Sequence, residues 1–333
     1  MARLRFHLLL LAGCLCMASA AAGVGWWYLT SPVQPERETI VDIAPGSSLT
    51  RVAADLQQRQ IVRQALVLRI LARWHGQEQQ IQAGRYRFSA SATPAQVLDR
   101  LVRGDVIKVS LTIPEGFTLR QIARRIDEAG FGSEDALLKL AYDADFIASL
   151  NIDAASLEGY LFPETYSFVQ EISEGALLRM MVEQFQQRLT DDLREAAGSL
   201  DLSLHEHVTL ASLIEKETGL VEEMPLISSV FHNRLIANMR LQTDPTAVYD
   251  LEDFSGTVTR AHLANPSPYN TYLIRGLPPG PIASPGLAAL TAAVFPAQTD
   301  YYYFVSRKDG SHHFSRNLRE HNQAIQRYLR NRR

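Results

Sequence analysis

From Leu8 to Leu29 the chain runs without a charge, after a start, MARLRFH, that carries Arg3 and Arg5. Such a run is long enough to cross a bilayer, which takes about 20 apolar residues. The two arginines favour a cytoplasmic start, and Trp26, Trp27 and Tyr28 suit the far interface. The pattern therefore predicts a transmembrane signal anchor over residues 1–30, with everything beyond Thr30 outside the cytoplasm. Two other readings stay open: Leu11 to Cys14 fits a lipoprotein cleavage box, and Ala18-Ser19-Ala20 fits a signal-peptidase site. All three export the remainder of the chain.

Residues 31–37, with Pro32 and Pro35, read as a stiff spacer. Next comes an internal echo. Ile43-Ala44-Pro45-Gly46 leads through Ser47 and Ser48 to a helical face of Leu49, Val52, Ala53 and Leu56. The same order recurs as Thr112-Ile113-Pro114-Glu115-Gly116, Thr118, then Leu119, Ile122, Ala123 and Ile126. Each copy predicts a strand, a glycine turn, a Ser or Thr cap and an amphipathic helix. Between them Ala83 to Phe88 alternates like a strand, and Thr93-Pro94 opens a capped helix ending near Gly104. Leu157 to Tyr166 is dense in aromatic residues and reads as a packed junction. A boundary is placed near Ser173, before a long helix from Gly175 to Leu189.

Over Val208 to Thr218 the spacing predicts a helix on which Leu210, Leu213, Ile214 and Glu217 share one face, so a carboxylate continues an apolar stripe. Glu215 lies about 200° around the axis with Ala211 and Thr218, and is read as structural or supporting. Gly219 would end the helix, leaving Glu217 in the last turn, where burial and the negative helix end both raise a carboxyl pKa. That is what a general acid near neutral pH requires. A Glu217 paired with a nearby arginine satisfies the same spacing. The next helix carries Ile227, Val230, Phe231 and Leu235 on its apolar face. After it, Thr243 or Asp244 caps a short helix with Pro245 at its first position, fixing Gln242 and Asp244 at a chain reversal. Seven of the 15 prolines lie between residues 266 and 296, so the loop carrying Tyr269 and Asn270 is stiff and could wall a groove. Tyr301 to Val305 and His312 to Ser315, joined at Lys308-Asp309-Gly310, predict a hairpin before a terminal helix.

Composition narrows the chemistry. With 333 residues, 46% of them hydrophobic, the chain can build more than one core, and its net charge of -3 with scattered basic residues excludes the footprint of a nucleic-acid binder. Both cysteines, Cys14 and Cys16, lie in the apolar run, so the exported part has no disulfide, thiolate nucleophile or cysteine-bound zinc. His312, His313 and His321 could serve a metal only without an HExxH helix, and adjacent histidines on a strand face opposite ways. No GxSxG or P-loop is present. No metal and no cofactor is expected.

The two echo units resemble the opening half of LysM modules, which bind amino-sugar chains. Taken together, ASLIEKET, RLQTDPT, SPYNTY and GLPPGPIASPG, in this order behind a membrane anchor, resemble the endolytic murein transglycosylase family of the bacterial inner membrane. The resemblance implies an α+β chain with three parts. These are an anchor, a LysM-like peptidoglycan-binding region over residues 38–172, and a mostly helical catalytic domain over residues 173–333. It implies Glu217 as the catalytic acid, and Thr218, Gln242, Thr243, Asp244, Tyr269 and Asn270 as substrate-binding or positioning residues. Glu217 would protonate the oxygen leaving muramic C1 and then take the proton of the muramic C6 hydroxyl, giving a 1,6-anhydro end. The substrate would be peptidoglycan glycan strands in the periplasm, with penicillin-binding proteins and other wall-synthesis proteins as partners and the growth of nascent strands as the step controlled. Two alternatives remain: a hydrolase using Asp244 as second carboxylate, and a noncatalytic peptidoglycan-binding scaffold.

Overall fold

The computed structural model describes residues 2–169, 172–251, 254 and 256–330; for helical residues 2–14 and 330 it describes the backbone alone. The elements run in the order α1 (Ala2–Thr30), β1 (Thr39–Ile43), α2 (Leu49–Gln58), α3 (Ala65–Trp74), β2 (Gly84–Phe88), α4 (Pro94–Arg103), β3 (Val109–Thr112), α5 (Leu119–Glu128), α6 (Glu134–Ala141), α7 (Ala144–Ser149), β4 (Thr165–Phe168), α8 (Glu174–Arg188), α9 (Asp191–Ser199), α10 (Leu204–Glu217), α11 (Met224–Ile236), α12 (Asp244–Val248), α13 (Arg260–Leu263), α14 (Leu287–Val294), β5 (Tyr303–Ser306), β6 (His312–Ser315) and α15 (Leu318–Ile325). The class is α+β, with small two-stranded sheets. By compactness the chain divides into residues 1–109 with 167–171, and residues 110–166 with 172–333.

In the first unit the apolar run forms α1. Among the described residues no helix is long and apolar enough to cross a membrane; the side chains of Arg3, Arg5 and Cys14 lie outside those described. Cys16 is a free, exposed thiol. β1 and β2 pair antiparallel, from Thr39 opposite Phe88 to Ile43 opposite Gly84. Their alternation turns Val41, Tyr86 and Phe88 inward, while Arg85 and Arg87 face Asp42 and Glu38 outside. Helices α2, α3 and α4 close over that inner face with Val52, Leu56, Leu68, Leu98 and Leu101. The predicted spacer is not a free tether: Val33 and Ala92 exchange backbone hydrogen bonds of 2.9 and 3.1 Å, and Pro35 is buried.

Both echo copies form a strand, a glycine at positive φ (Gly46 at 75°, Gly116 at 72°), a hydroxyl cap and a helix. Leu49, Val52, Ala53 and Leu56, and Leu119, Ile122, Ala123 and Ile126, are the buried residues of the two helices. The copies fall in different compact units, however, and the compact division does not coincide with residue 173. The reason is packing: Tyr160 sets its ring edge-on to Phe185 of α8 at 5.4 Å, and Phe162 N donates to Met181 O. Residues 110–166 thus share a core with the helices C-terminal to them.

Within the second unit α10 is enclosed. A Ser203/Glu206 capping box starts it, and His207 to Ile214 are all buried. Its neighbours include α9, α11, α12 and α14. His207 reaches the Leu290 carbonyl at 2.8 Å through Nε2, which is therefore the protonated nitrogen. β5 and β6 form the expected hairpin, turned at Lys308 and Gly310 with φ of 62° and 92°. His312 and His313 lie on β6 and His321 on α15: His312 pairs with Glu223, while the rings of His313 and His321 lie against Tyr328 and Tyr303.

Candidate active site

Glu217 is the last residue of α10, and Thr218, in extended conformation, closes the helix. The end signal is Thr218 and not the expected Gly219. The Thr218 hydroxyl oxygen accepts from Leu220 N at 3.0 Å, which turns the chain away. Periodicity puts Glu217 on one buried stripe; from His207 to Ile214 the helix is in fact buried on all sides, and the two glutamates beyond are distinguished by their partners. Glu217 accepts from the Thr243 hydroxyl through Oε1. Glu215 accepts from Gly286 N at 3.0 Å and, burial and the nearby Glu115 charge acting together, is held above the usual carboxylate range.

Thr243 occupies the predicted cap position of α12, yet its hydroxyl makes no capping bond there and goes to Glu217 instead. A hydroxyl network sets it in place. Thr243 N donates to Thr271 Oγ1 at 3.0 Å, Thr246 Oγ1 donates to Thr243 O at 2.7 Å, and Thr246 and Thr271 share a 2.8 Å bond. Since the single Thr246 hydroxyl proton goes to a carbonyl, Thr271 must be the donor of that shared bond. Gln242, just before, sits at φ 50° and donates its N–H to Thr271 O, the chain reversal expected from RLQTDPT.

Burial is the main cause that raises the Glu217 carboxyl to about 7. The Thr243 bond opposes it by favouring the ionised form, the Asp244 charge adds to it, and the Arg234 charge opposes it. Arg234 was not legible: helical spacing puts Leu235 on the buried face of α11, but Arg234 is the residue buried there, only 7% exposed. Its guanidinium donates to Tyr302 O and Leu241 O at 2.7 and 2.6 Å and lies 5.1 Å over the Tyr303 ring, which satisfies a cation that burial would otherwise penalise. Glu217 therefore feels an arginine without depending on it as sole partner.

Asp244 is exposed and takes a 2.5 Å hydrogen bond from the Tyr272 hydroxyl. It belongs to the wall of a cleft of about 850 Å³, with Thr118, Tyr142, Glu158, Lys216 and Tyr249 among the other residues lining it. Glu217 is not part of that wall and adjoins it through Thr243 and Asp244. Tyr269 is half-buried, its ring 4.7 Å from that of Tyr249. Of the two parts expected for Asn270, groove wall or positioning, its surroundings fit the second. It is completely buried, and its amide is used up on Leu263 O, Asn265 O and Tyr272 N. It holds the loop that presents Tyr272 and offers nothing directly to a groove.

The cleft also contains a carboxyl that sequence reasoning passed over. Glu158, 4% exposed, accepts from Leu119 N through both oxygens, at 2.9 and 3.0 Å, and from the Tyr249 hydroxyl at 2.9 Å. Burial raises it to about 7 despite those donors. The only sequence sign was a charge inside an otherwise apolar, aromatic stretch. Its partners lie 39 and 91 positions away, so no local period could announce it.

A half-buried, hydrogen-bonded acid beside a cleft lined with hydroxyls, phenols and charged groups is the arrangement of an enzyme acting on polar polymers through general acid chemistry. The model of the YceG-like family matches residues 41–327, and the chain belongs to that family. It is 32% identical over 320 residues to the endolytic murein transglycosylase of Bacillus subtilis, covering 90% of this chain and 88% of that protein. An endolytic murein transglycosylase of Streptococcus pneumoniae is 28% identical across 93% of this chain, which spans 63% of that longer protein. A 2.6 Å crystal structure of a YceG-like protein of Listeria monocytogenes shares 33% identity, with a TM-score of 0.62 over 86% of this chain and 99% of that one.

Proposed function

We propose that this chain is an endolytic peptidoglycan lytic transglycosylase of the cell envelope, with Glu217 as its single acid and base. The observation that carries the assignment of roles is the Thr243 bond to Glu217 Oε1. It leaves Oε2 as the oxygen that holds and releases the proton, in a setting that keeps the carboxyl largely protonated up to about pH 7.

Glu217 Oε2 gives its proton to the glycosidic oxygen as the bond from muramic C1 to that oxygen breaks, freeing the 4-hydroxyl of the neighbouring sugar. The muramic C6 hydroxyl then bonds to C1 and returns its proton to the Glu217 carboxylate. A 1,6-anhydro end forms, no water is consumed, and the acid is restored. Ordinary glycosidases need a second carboxylate as nucleophile or base; here the substrate supplies the nucleophile. Asp244, fixed by Tyr272, orients the sugar and raises the Glu217 proton affinity. Tyr249 lines the cleft with Tyr269 packed against its ring, Gln242 and Thr243 position the turn that carries Asp244, and Thr218 and Asn270 hold the backbone around it.

The finer picture has α1 as a single-pass anchor in the inner membrane, residues 38–172 as a LysM-like strand-binding region, and residues 173–333 as the catalytic part. Nascent strands beside penicillin-binding proteins are the substrate in that picture.

The test is mass spectrometry of the products released from purified peptidoglycan by the full chain and by Glu217→Gln. Anhydromuramic ends from the wild type, reduced at least about a thousandfold in the variant, are expected. Reducing ends would point to hydrolysis with Asp244, and glycan binding without cleavage by either protein would point to the scaffold.

A further inference from the structure

Helix α3 is apolar on two sides. Val67, Leu68 and Ala72 face the core of the first unit, yet Leu66, Ile70 and Trp74, each four residues on from the last, are 59%, 40% and 85% exposed. A helix that has already buried one face and carries a second apolar stripe needs a second apolar neighbour. Along this stretch of chain the charge has one sign. Arg69, Arg73 and His75 are exposed beside it, and from Gln60 to Gln77 the sequence contains no Asp or Glu. Tryptophan and leucine beside arginine on one face is the composition of a helix lying in the interfacial plane of an anionic bilayer.

The start of α3 is fixed to the end of α1. Arg63 lays its guanidinium 4.3 Å over the Tyr28 ring and donates through Nη2 to Pro32 O at 3.4 Å. Tyr28 comes directly after Trp26 and Trp27, themselves 47% and 71% exposed. At 1.5 Å per residue the ten residues of α3 reach about 15 Å from that point, which keeps the whole stripe close to where the chain leaves the apolar helix.

We infer that α3 rests on the outer surface of the membrane that holds α1, with Leu66, Ile70 and Trp74 among the lipid headgroups and Arg69 and Arg73 on anionic phosphates. This rests on reading α1 as a membrane anchor. It makes the first unit a foot at the bilayer.

The experiment uses the full chain with Trp26→Phe and Trp27→Phe, leaving Trp74 as the one tryptophan, reconstituted into vesicles of phosphatidylethanolamine and phosphatidylglycerol. Lipids brominated near the headgroup end of the acyl chain serve as quenchers. The expected result is blue-shifted Trp74 emission that the bromines quench, with loss of both effects in phosphatidylcholine vesicles and in the Arg69→Glu/Arg73→Glu variant. A chain that floats with vesicles but shows red-shifted, unquenched emission overturns the inference and leaves the anchor standing. A chain that does not float overturns both. Emission that responds to added glycan fragments and not to brominated lipid would make Trp74 a sugar-stacking residue and overturn the lipid assignment.

Discussion

Thr243 and Asp244 are neighbours in the chain and pull Glu217 in opposite directions. The Thr243 hydroxyl favours the ionised carboxyl, whereas the Asp244 charge disfavours it. Activity that needs the protonated acid must fall as pH rises through about 7. Removing the hydroxyl in Thr243→Ala moves that alkaline limb to higher pH, and removing the charge in Asp244→Asn moves it to lower pH. Profiles of kcat/KM for the two variants check the signs, and a shared direction would contradict the roles assigned. Asp244→Asn retaining measurable turnover also separates an orienting residue from an essential second carboxylate. At this scale one helical period drew attention to Glu217, and the family resemblance, not the period, gave it its expected role. Glu158 and Arg234 were not legible, since each is made tolerable by carbonyls, amides or rings brought in from distant parts of the chain. For Asn270 the sequence left groove and positioning open, because an amide in a proline-rich loop serves sugar or backbone equally well until its partners are seen.

At the scale of elements, the approach of α10 to the proline-rich loop depends on Gly159. Its φ is +83°, and a Cβ there would come within 2.5 Å of Pro281 and 3.0 Å of Val208. Gly159→Ala therefore adds backbone strain to a clash with two packed side chains, and should lower stability by about 2 kcal/mol or more. Thermal unfolding of the variant against wild type measures it; an unchanged midpoint would show that the junction yields easily. The same loop end supports α10 directly, since Ile282 N donates to Ser212 Oγ at 3.1 Å. The faces of α2 and α5 were readable because each helix buries a single side. α10 hid its environment because its middle, His207 to Ile214, is buried all round, so period alone could not say which neighbour each side meets.

For the whole molecule, two carboxyls with raised proton affinity make stability depend on pH. Glu158 and Glu217 both stand at about 7 when folded, against an ordinary value of 4.5. The folded chain thus holds more protons than the unfolded chain between those values. The stability this provides is complete below about pH 4.5 and is lost as pH rises through about 7, by about 3 kcal/mol at most for each carboxyl. Glu158→Gln should flatten the decline in denaturant midpoint between about pH 5 and pH 8. An unaltered slope would mean that Glu158 titrates as an ordinary surface carboxyl. A junction rich in aromatic residues marks dense packing and gives no boundary by itself: Tyr160 and Phe162 pack onto α8, on the far side of the expected limit at residue 173. The directional row from Thr271 through Thr246 to the Thr243 carbonyl carries a last implication. Thr246 and Thr271 are completely buried, so water reaches their hydroxyl protons only when the surrounding unit opens. Their exchange with solvent becomes an internal clock for how often the folded molecule exposes its own interior.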